Sequence, residues 1–326
     1  MPEWSDESEQ RESSQATSEE LHDGEALGEP VVAPSAPNFF ILGAGRCGTT
    51  SLAGQLRRHP DVFIPEIKEP SFFASSWQWV RDPGRYVDLY ADAGGRTRLG
   101  DASHLYLEDP KSPDILRAFF PDARFILMFR NPADRALALY AQMVEWGYEL
   151  KPTFEAGLAA EDRRYRSERF RRNCPHSFWN FMYFRSGLFG EQVARYLEHW
   201  PRERFYATTM YEYLDDPSRV IREICDHLGV EQCDLGEVPH SGASKGTRSR
   251  YAQYVERRWM RPLMRRNVPG VASARDRLLS WNRAADRPRL SEATRADLIE
   301  RFSPDLDRLT CLIGVDVLAR EQESRR

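Results

Sequence analysis

The sequence predicts an α/β fold, in which helices cover both faces of a central and mostly parallel β-sheet. Apolar stretches typical of buried strands alternate with helical patterns, and no internal repeat interrupts this alternation. Residues 38–42 and 124–129 have the clearest strand pattern. Because sheets of this kind bind ligands at the carboxyl ends of their strands, the loops that follow these strands are the first candidate sites.

The elements are expected in a regular order. Strands are predicted at 38–42, 98–102, 124–129 and 204–210, with a short extended segment at 61–64. Capping residues and first-turn prolines help to predict helices at 49–58, 112–120, 132–146, 154–172, 187–200 and 216–228. Residues 239–290 lack clean periodicity and are expected to be irregular. A last helix from Leu290 is expected to break near Pro304.

Length and composition indicate a folded protein with a large core. The chain has 326 residues, of which 41% are hydrophobic. No apolar run is long enough for a membrane span, and no signal peptide is expected. The five cysteines are scattered and form no C-x-x-C pair, so we expect no metal site, no disulfide framework and a cytoplasmic location.

Charge divides the chain into an acidic tail and a mildly basic remainder. Residues 1–37 contain ten acidic residues and one arginine, whereas the net charge of residues 38–326 is +5. The tail is rich in Ser, Glu and Pro, so we expect it to be disordered and residues 38–326 to form a single domain. A solubilising role of the tail is favoured over an autoinhibitory role as the mimic of an anionic ligand.

The stretch after the first strand has the spacing of a phosphate-binding P-loop. Gly43 and Gly48 are separated by four residues, and helix formers follow the second glycine. Thr49 stands where such loops have the lysine that reaches a γ-phosphate, and Arg46 is the nearest cation. The loop is therefore expected to hold a phosphate through backbone N–H groups and hydroxyls, with a plain tight turn as the alternative. The candidate residues are Gly45, Arg46, Cys47, Gly48, Thr49 and Thr50.

Two further motifs are basic. The strand at 124–129 delivers Arg130 to the predicted ligand crevice, where a guanidinium suits a second phosphate. An arginine that only ties the following helix is the alternative, and for Arg135 both interpretations stay open. Residues 244–249 form a cationic, hydroxyl-rich segment, which alone is typical of a solvated loop.

Together these motifs resemble the sulfotransferase family that uses 3′-phosphoadenosine 5′-phosphosulfate (PAPS), and its bacterial and heparan-type branch in particular. The resemblance implies that the glycine loop binds the 5′-phosphosulfate and that Arg130 binds the 3′-phosphate. It also implies that Lys245, Gly246, Thr247 and Arg248 cover the nucleotide, that the product is 3′-phosphoadenosine 5′-phosphate (PAP), and that no metal is needed. A family serine of the 3′-phosphate site is replaced by Ala138, and the family lysine of the first loop by Arg46.

The resemblance also nominates catalytic residues. The segment Lys68-Glu69-Pro70-Ser71-Phe72-Phe73 is similar to the heparan-type pattern whose glutamate deprotonates the acceptor, which implies that Glu69 is the base and that Lys68 lies near the leaving oxygen. An exposed lysine–glutamate pair is the alternative. His104 competes for the role of base, because a histidine titrates near neutrality.

The predicted function is transfer of a sulfuryl group from PAPS to a hydroxyl of a glycan, lipid or natural product, without a nucleic-acid partner. The alternatives are a P-loop kinase or NTPase, and a non-catalytic module that binds nucleotides or polyanions. Thr49 and the lack of an aspartate after Phe129 count against a kinase. The stretch 257–266 with Trp259 either steers a polyanionic acceptor or is simply solvated, and the aromatic segment 178–184 either lines the cleft or packs in the core.

Overall fold

A five-stranded parallel sheet forms the centre of the protein, and helices flank it, as the sequence predicts. The computed structural model describes residues 36–238, 246–284 and 288–325. The strand order is β2-β3-β1-β4-β5, and every neighbouring pair is parallel. The strands are β1 Phe39–Gly43, β2 Val62–Phe63, β3 Arg98–Ala102, β4 Arg124–Phe129 and β5 Phe205–Thr209.

Sixteen α-helices lie in the described part of the chain, with the site-forming ones directly after strands. Those of the first half are α1 Thr49–Leu56, α2 Pro83–Asp88, α3 Leu105–Glu108, α4 Ser112–Phe119, α5 Pro132–Glu145, α6 Phe154–Ala159, α7 Glu161–Arg166 and α8 Glu168–Arg172. Those of the second half are α9 Phe189–Leu197, α10 Met210–Asp215, α11 Pro217–Leu228, α12 Arg250–Val255, α13 Arg261–Arg265, α14 Val271–Asn282, α15 Glu292–Ile313 and α16 Val317–Ser324.

The central strands are apolar on both faces because helices cover both sides. All five residues of β1 are buried, and so are five of the six residues of β4. Phe40, Phe125 and Phe205 occupy the same register on β1, β4 and β5. Their rings stack at centroid distances of 6.0 Å and 4.9 Å. This aromatic row fixes the relative register of three strands, and therefore the positions of the loops at their carboxyl ends.

The segment after residue 245 is more regular than predicted. Gly246–Thr247 (β6) pairs antiparallel with Arg283–Ala284 (β7), and α12, a π-helical turn at Glu256–Met260, α13 and α14 lie between them. The prediction of an irregular segment is wrong here because the buried side chains are polar, Gln253, Glu256 and Asn282 among them. Hydrophobic periodicity therefore does not mark these helices.

Two other helix predictions need correction. The helix predicted at 154–172 is three short helices, since the Ser167 hydroxyl accepts the N–H of Phe170 and starts a new one. The predicted break near Pro304 is absent, because α15 continues through the proline. The carbonyl that the proline leaves without a partner belongs to Glu300, which is exposed to water. Phe302 and Leu306 bury the opposite face of the helix.

Some predictions concern residues outside the described ranges. Residues 1–35 of the acidic tail and Lys245 lie there, so the disordered tail and the single domain stay predictions. None of the described helices is long and apolar enough to cross a membrane.

We predict that Gly100→Ala destabilises the sheet. A Cβ on Gly100 would lie 2.3 Å from the buried ring of Phe39, which has no room to move. Such overpacking lowers the free energy of unfolding by about 1–3 kcal/mol, measurable by urea denaturation. Gly95→Ala is the matched control, because no atom lies within 4 Å of its added Cβ. Equal stability of the two variants would contradict the prediction.

Candidate active site

Four neighbouring strands deliver the candidate residues to one edge of the sheet. The glycine loop follows β1, Lys68 and Glu69 follow β2, His104 follows β3, and Arg130 follows β4. The chain reverses its direction of winding at β1, whose neighbours are β3 and β4. Such a switch point forms a crevice for a ligand, so the fold brings together the motifs that the sequence separates by up to 87 residues.

The glycine loop has a special backbone conformation. Arg46 has a φ of 67° and Gly48 a φ of 94°, both in the left-handed region. A Cβ on Gly45 would lie 2.7 Å from Cδ2 of His104, so only glycine lets the loop approach this histidine. Backbone strain at a non-glycine residue such as Arg46 persists where the surrounding structure enforces it.

The loop ends at the N-terminus of α1, which offers donors to an anion. Gly48 is the N-cap residue, and the first N–H groups of a helix have no partner within the helix. Thr49 and Thr50 add hydroxyls. The N–H of Cys47 donates to the carbonyl of Ala44 at 3.2 Å, and its side chain is fully buried. Burial raises the pKa of this thiol to about 11, so Cys47 shapes the loop and is not a reactive thiolate.

Lys68 brings an ammonium group to the loop. Its Nζ donates to Oγ1 of Thr50 at 2.9 Å and to Oγ1 of Thr49 at 3.3 Å. Only 9% of this side chain is exposed, so the surface pair considered as an alternative is not what forms. The loop lacks a lysine of its own, and Lys68 brings an ammonium group to it from another segment of the chain. The sequence of the loop alone does not show this contact.

Glu69 and His104 form one pair rather than two rival sites. Oε1 of Glu69 lies 3.1 Å from Nζ of Lys68, and Oε2 lies 2.8 Å from Nδ1 of His104. The Glu69 side chain keeps one-third of its surface exposed, whereas that of His104 keeps 11%. The carboxylate therefore faces two cations on the protein side and the crevice on the other.

Charge and burial act in opposition on this pair. Burial alone would raise the pKa of Glu69, but His104 and Lys68 outweigh it and hold the pKa below its usual range. Burial alone would lower the pKa of His104, but the carboxylates of Glu69 and Glu108 outweigh it and raise the pKa to about 9. At neutral pH the pair is therefore a carboxylate facing an imidazolium.

A buried network holds the Glu69 segment in place. The Glu69 N–H donates to the carbonyl of Ala102 at 3.1 Å, and the Ser71 N–H donates to Oγ of Ser103 at 3.1 Å. The Ser103 hydroxyl donates in turn to Asp101, which two tyrosines also approach at 2.8 Å. Glu69 has a φ of 65°, so this network fixes the base candidate in a conformation that few non-glycine residues adopt.

The far side of His104 contacts an asparagine. Nε2 of His104 lies 3.3 Å from Oδ1 of Asn180, and Nδ2 of Asn180 lies 3.0 Å from Nδ1 of His176. Both ring nitrogens of His104 therefore face oxygen atoms, as an imidazolium requires. Burial lowers the pKa of His176 to about 4, and the neighbouring charge of His104 adds to this, so His176 is neutral.

Arg135 is buried behind the glycine loop and binds residues that support the site. The side chain is fully buried and donates to Glu108 at 3.1 Å, to the carbonyl of Gly45 at 3.2 Å and to the Ser186 hydroxyl at 2.8 Å. Its donors are thus committed to the protein. Of the two interpretations left open for Arg135, the structural one describes these contacts.

Arg130 and Arg46 converge on the crevice. Burial lowers the pKa of Arg46, and the charge of Arg130 adds to this, whereas Glu145 and Glu69 oppose it. Among the described residues, Nε of Arg130 is buried without a hydrogen-bond partner. Arg130 directly precedes Asn131, whose side chain caps α5 and is bound by Glu321 at 2.6 Å, so the backbone at this position is held. A buried donor without a partner next to a second guanidinium suits an anion.

The remaining predicted residues lie along α5 and the β6 ribbon. Ala138 is a half-buried residue of the second turn of α5. Gly246 and Thr247 pair with β7 and line a cleft with Glu145 and Trp146 at the end of α5. Arg248 is exposed, and its N–H is bound by the carbonyl of Asn282. The three residues are thus part of a small ribbon beside α5.

Aromatic rings surround His176 at the edge of the crevice. Trp77 stacks on it at 4.9 Å, and the rings of Trp146 and Tyr148 lie at 5.4 Å and 4.8 Å. In the segment 178–184, by contrast, Phe178, Phe181, Met182 and Tyr183 are core residues. Asn180 is the member of this segment that reaches the site, which the aromatic pattern of the sequence does not reveal.

Comparisons with known proteins identify the family. The family model of the sulfotransferase domain matches residues 36–241, and the chain belongs to this family. A crystal structure of a sulfotransferase from Alicyclobacillus acidocaldarius is similar with a TM-score of 0.64 and 28% identity, covering 88% of this chain and 99% of that one. The resemblance noted from the motifs is therefore confirmed at the level of the family.

Curated relatives are similar at lower identity. The heparan sulfate glucosamine 3-O-sulfotransferase 6 of Homo sapiens is 25% identical over 289 residues, which cover 86% of this chain and 72% of that protein. The membrane-associated sulfotransferase kil1 of Dictyostelium discoideum is 27% identical over 114 residues, which cover 34% of this chain and only 24% of that protein. These similarities support sulfuryl transfer over the phosphoryl transfer of a kinase.

We predict that Glu69→Gln lowers the pKa of His104. The carboxylate favours the protonated ring, so its neutralisation moves the pKa from about 9 towards the ordinary 6.5. The shift is measured by NMR titration of the His104 ring protons. Glu191→Gln, which changes an exposed glutamate of α9, is the control and leaves the titration unchanged. An unaltered His104 titration in Glu69→Gln would show that the two groups are not paired.

Proposed function

We propose that this sulfotransferase moves a sulfuryl group from PAPS to a hydroxyl group of its acceptor, with Glu69 as general base. The observation that carries the proposal is the Lys68–Glu69–His104 cluster, which lies against the phosphate-binding loop at the carboxyl edge of the sheet. One residue of this cluster contacts the loop, and the next residue presents a carboxylate to the crevice. The group proposed to contact the sulfuryl donor and the group proposed to activate the acceptor are thus next to each other.

Two separate anion-binding places support PAPS as the donor. The N-terminus of α1, with Thr49, Thr50 and Lys68, suits the 5′-phosphosulfate. Arg130, whose buried Nε has no hydrogen-bond partner among the described residues, suits the 3′-phosphate. Gly246 and Thr247, beside the end of α5, are candidates for contacts with the nucleotide, and the family resemblance extends this proposal to Lys245 and Arg248.

The proposed reaction follows from these positions. PAPS supplies the sulfuryl group, and transfer breaks its S–O bond to the 5′-phosphate while the acceptor oxygen forms the new bond to sulfur. Glu69 takes the proton of the acceptor hydroxyl. Lys68, with the N–H groups of α1 and Arg46, stabilises the charge that develops on the departing phosphate oxygen.

The geometry favours Glu69 over His104 as the base. His104 faces oxygen atoms at both nitrogens and carries its proton at neutral pH, so it has no lone pair to accept another. Its positive charge keeps Glu69 ionised and oriented. An anionic donor that engages Lys68 would weaken the hold of this lysine on Glu69, and the carboxylate would then become more basic when the donor is present.

For the acceptor, we propose only a chemical class, a carbohydrate hydroxyl. The similarity to a heparan sulfate glucosamine 3-O-sulfotransferase supports a carbohydrate hydroxyl. The rings of Trp77, Trp146 and Tyr148 around His176 offer flat apolar surfaces at the edge of the crevice, on which a sugar ring can pack.

We predict that PAP raises the melting temperature of the protein without magnesium and that Arg130→Ala weakens PAP binding at least about tenfold, the loss expected for a charge-assisted contact. Isothermal titration calorimetry measures the change. Arg222→Ala, which removes an exposed arginine of α11, is the control. Stabilisation by Mg-ATP alone would refute PAPS as the donor.

We predict that Glu69→Gln lowers kcat at least about 10²-fold, while PAP affinity stays close to that of the unchanged protein.

His104→Asn removes the cation that depresses the pKa of Glu69, so it moves the acid limb of the pH–rate profile to higher pH but retains activity above that limb. Labelled PAPS and a panel of hydroxylated acceptors provide the assay. Loss of activity at every pH in His104→Asn, with an active Glu69→Gln, would assign the base to His104. PAP binding without any turnover would favour a non-catalytic module.

A further inference from the structure

One helix of the protein exposes a row of apolar residues and buries two polar ones. It runs without interruption from Arg250 to Arg265 through α12, the π-helical turn and α13. Gln253 and Glu256 are buried, with 9% and 1% exposure. Tyr251, Val255, Trp259 and Leu263 are exposed by 58%, 43%, 60% and 39%. A helix that packs on a globular core shows the reverse arrangement, so this one is built to meet something outside the chain.

The exposed apolar residues form a row. They are spaced four residues apart, and in an α-helix of 3.6 residues per turn such a row drifts around the axis by about 40° per step. The π-helical turn at Glu256–Met260 holds more residues per turn and counters this drift in the middle of the row. The row therefore stays on one side of the helix.

Neighbouring segments extend the row at both ends. Trp281, 56% exposed, precedes Asn282, whose side chain bonds to the backbone of Ser249 at 2.7 Å and 2.9 Å, directly before α12. Val268, 39% exposed, follows α13 and donates its N–H to the carbonyl of Leu263. We call the six residues the outer apolar surface: Tyr251, Val255, Trp259, Leu263, Val268 and Trp281.

Arginines surround the outer apolar surface. Residues 246–284 contain ten arginines but only two acidic residues, Glu256 and Asp276. Glu256 is buried and paired with Arg261 at 3.0 Å and with Arg275 at 2.6 Å, so it does not offset the exposed charge. The exposed arginines of this segment are Arg248, Arg258, Arg265, Arg266, Arg277 and Arg283.

We propose that the outer apolar surface docks on an anionic lipid bilayer. Arginine side chains suit lipid phosphates, and Trp and Tyr suit the boundary between headgroups and acyl chains. A second copy of this chain is a less suitable partner, because docking it here would bring two arginine-rich faces together and like charges repel. A soluble polyanionic glycan would engage the arginines and rings, but would leave Val255, Leu263 and Val268 exposed to water.

The helix that carries the outer apolar surface packs against the end of α5, beside the candidate active site. Arg257 donates from Nε to the carbonyl of Gly147 at 3.0 Å and lies 4.3 Å from the centre of the Tyr148 ring. A Cβ on Gly147 would lie 2.5 Å from the carbonyl oxygen of Gln253, which shows how closely α12 meets the end of α5. Docking would thus hold the aromatic edge of the crevice near the bilayer.

Vesicle co-sedimentation of the full chain tests this proposal. We expect binding to phosphatidylcholine vesicles that contain phosphatidylglycerol, weak binding to phosphatidylcholine alone, and a decrease with added NaCl. The triple variant Tyr251→Ser/Trp259→Ser/Leu263→Ser is expected to bind at least about tenfold more weakly, because it removes the inserted apolar area. Its PAP binding should stay unchanged, and its melting temperature should fall only slightly, since these side chains are at least 39% exposed and serine forms helices less well than leucine.

Leu214→Ser is the matched control, because Leu214 of α10 is 58% exposed and lies outside the outer apolar surface. It is expected to bind vesicles as the unchanged protein does. Four outcomes would overturn the proposal: no binding to anionic vesicles, equal loss in Leu214→Ser, full competition by soluble heparin with no effect of the triple variant, or a dimer in solution that this variant dissociates.

Discussion

The contact of Glu69 with His104 and Lys68 is the constraint on which the site depends. A carboxylate placed at the edge of a buried sheet is stable only if nearby cations compensate for its lost hydration. His104 and Lys68 provide this compensation, and both depend on the packing of β2 and β3 beside β1. The close approach of the Gly45 backbone to His104 and the buried Asp101 network serve the same pair, because they fix where its members lie.

The fold and the individual motifs could be predicted from the sequence to a large extent. The strands at 98–102 and 124–129 match their predicted bounds. The strand at 124–129 is continuously apolar after Arg124, as is typical of a parallel strand covered on both faces. The strand at 98–102 contains Arg98 and Asp101 and is less clearly marked. Arg130 is a candidate because it follows a strand, and Glu69 because it lies in a family-like pattern; the structure places both at the same edge of the sheet. The sequence pattern of a segment is sufficient to predict the position of a residue when that position depends on the segment alone.

Relations between segments could not be predicted in this way. The family-like pattern around Glu69 and the near-neutral titration of a histidine made Glu69 and His104 alternatives, but packing brings these two residues, 35 positions apart, within 2.8 Å of each other. The same holds for Lys68 at Thr50 and for Asn180 at His104. The helix Arg250–Arg265 escaped prediction for a different reason: periodicity locates a buried face by its apolar residues, and here the buried face is polar.

The adjacency of Lys68 and Glu69 in the chain has a consequence for the proposed reaction. Consecutive Cα atoms are separated by about 3.8 Å, whatever else changes in the protein. The ammonium of Lys68 and the carboxylate of Glu69 therefore extend from neighbouring backbone positions, which limits how far apart the two groups can lie. Insertions elsewhere can reshape the pocket for new acceptors, but the cation at the departing oxygen and the base at the acceptor oxygen stay linked through one peptide bond.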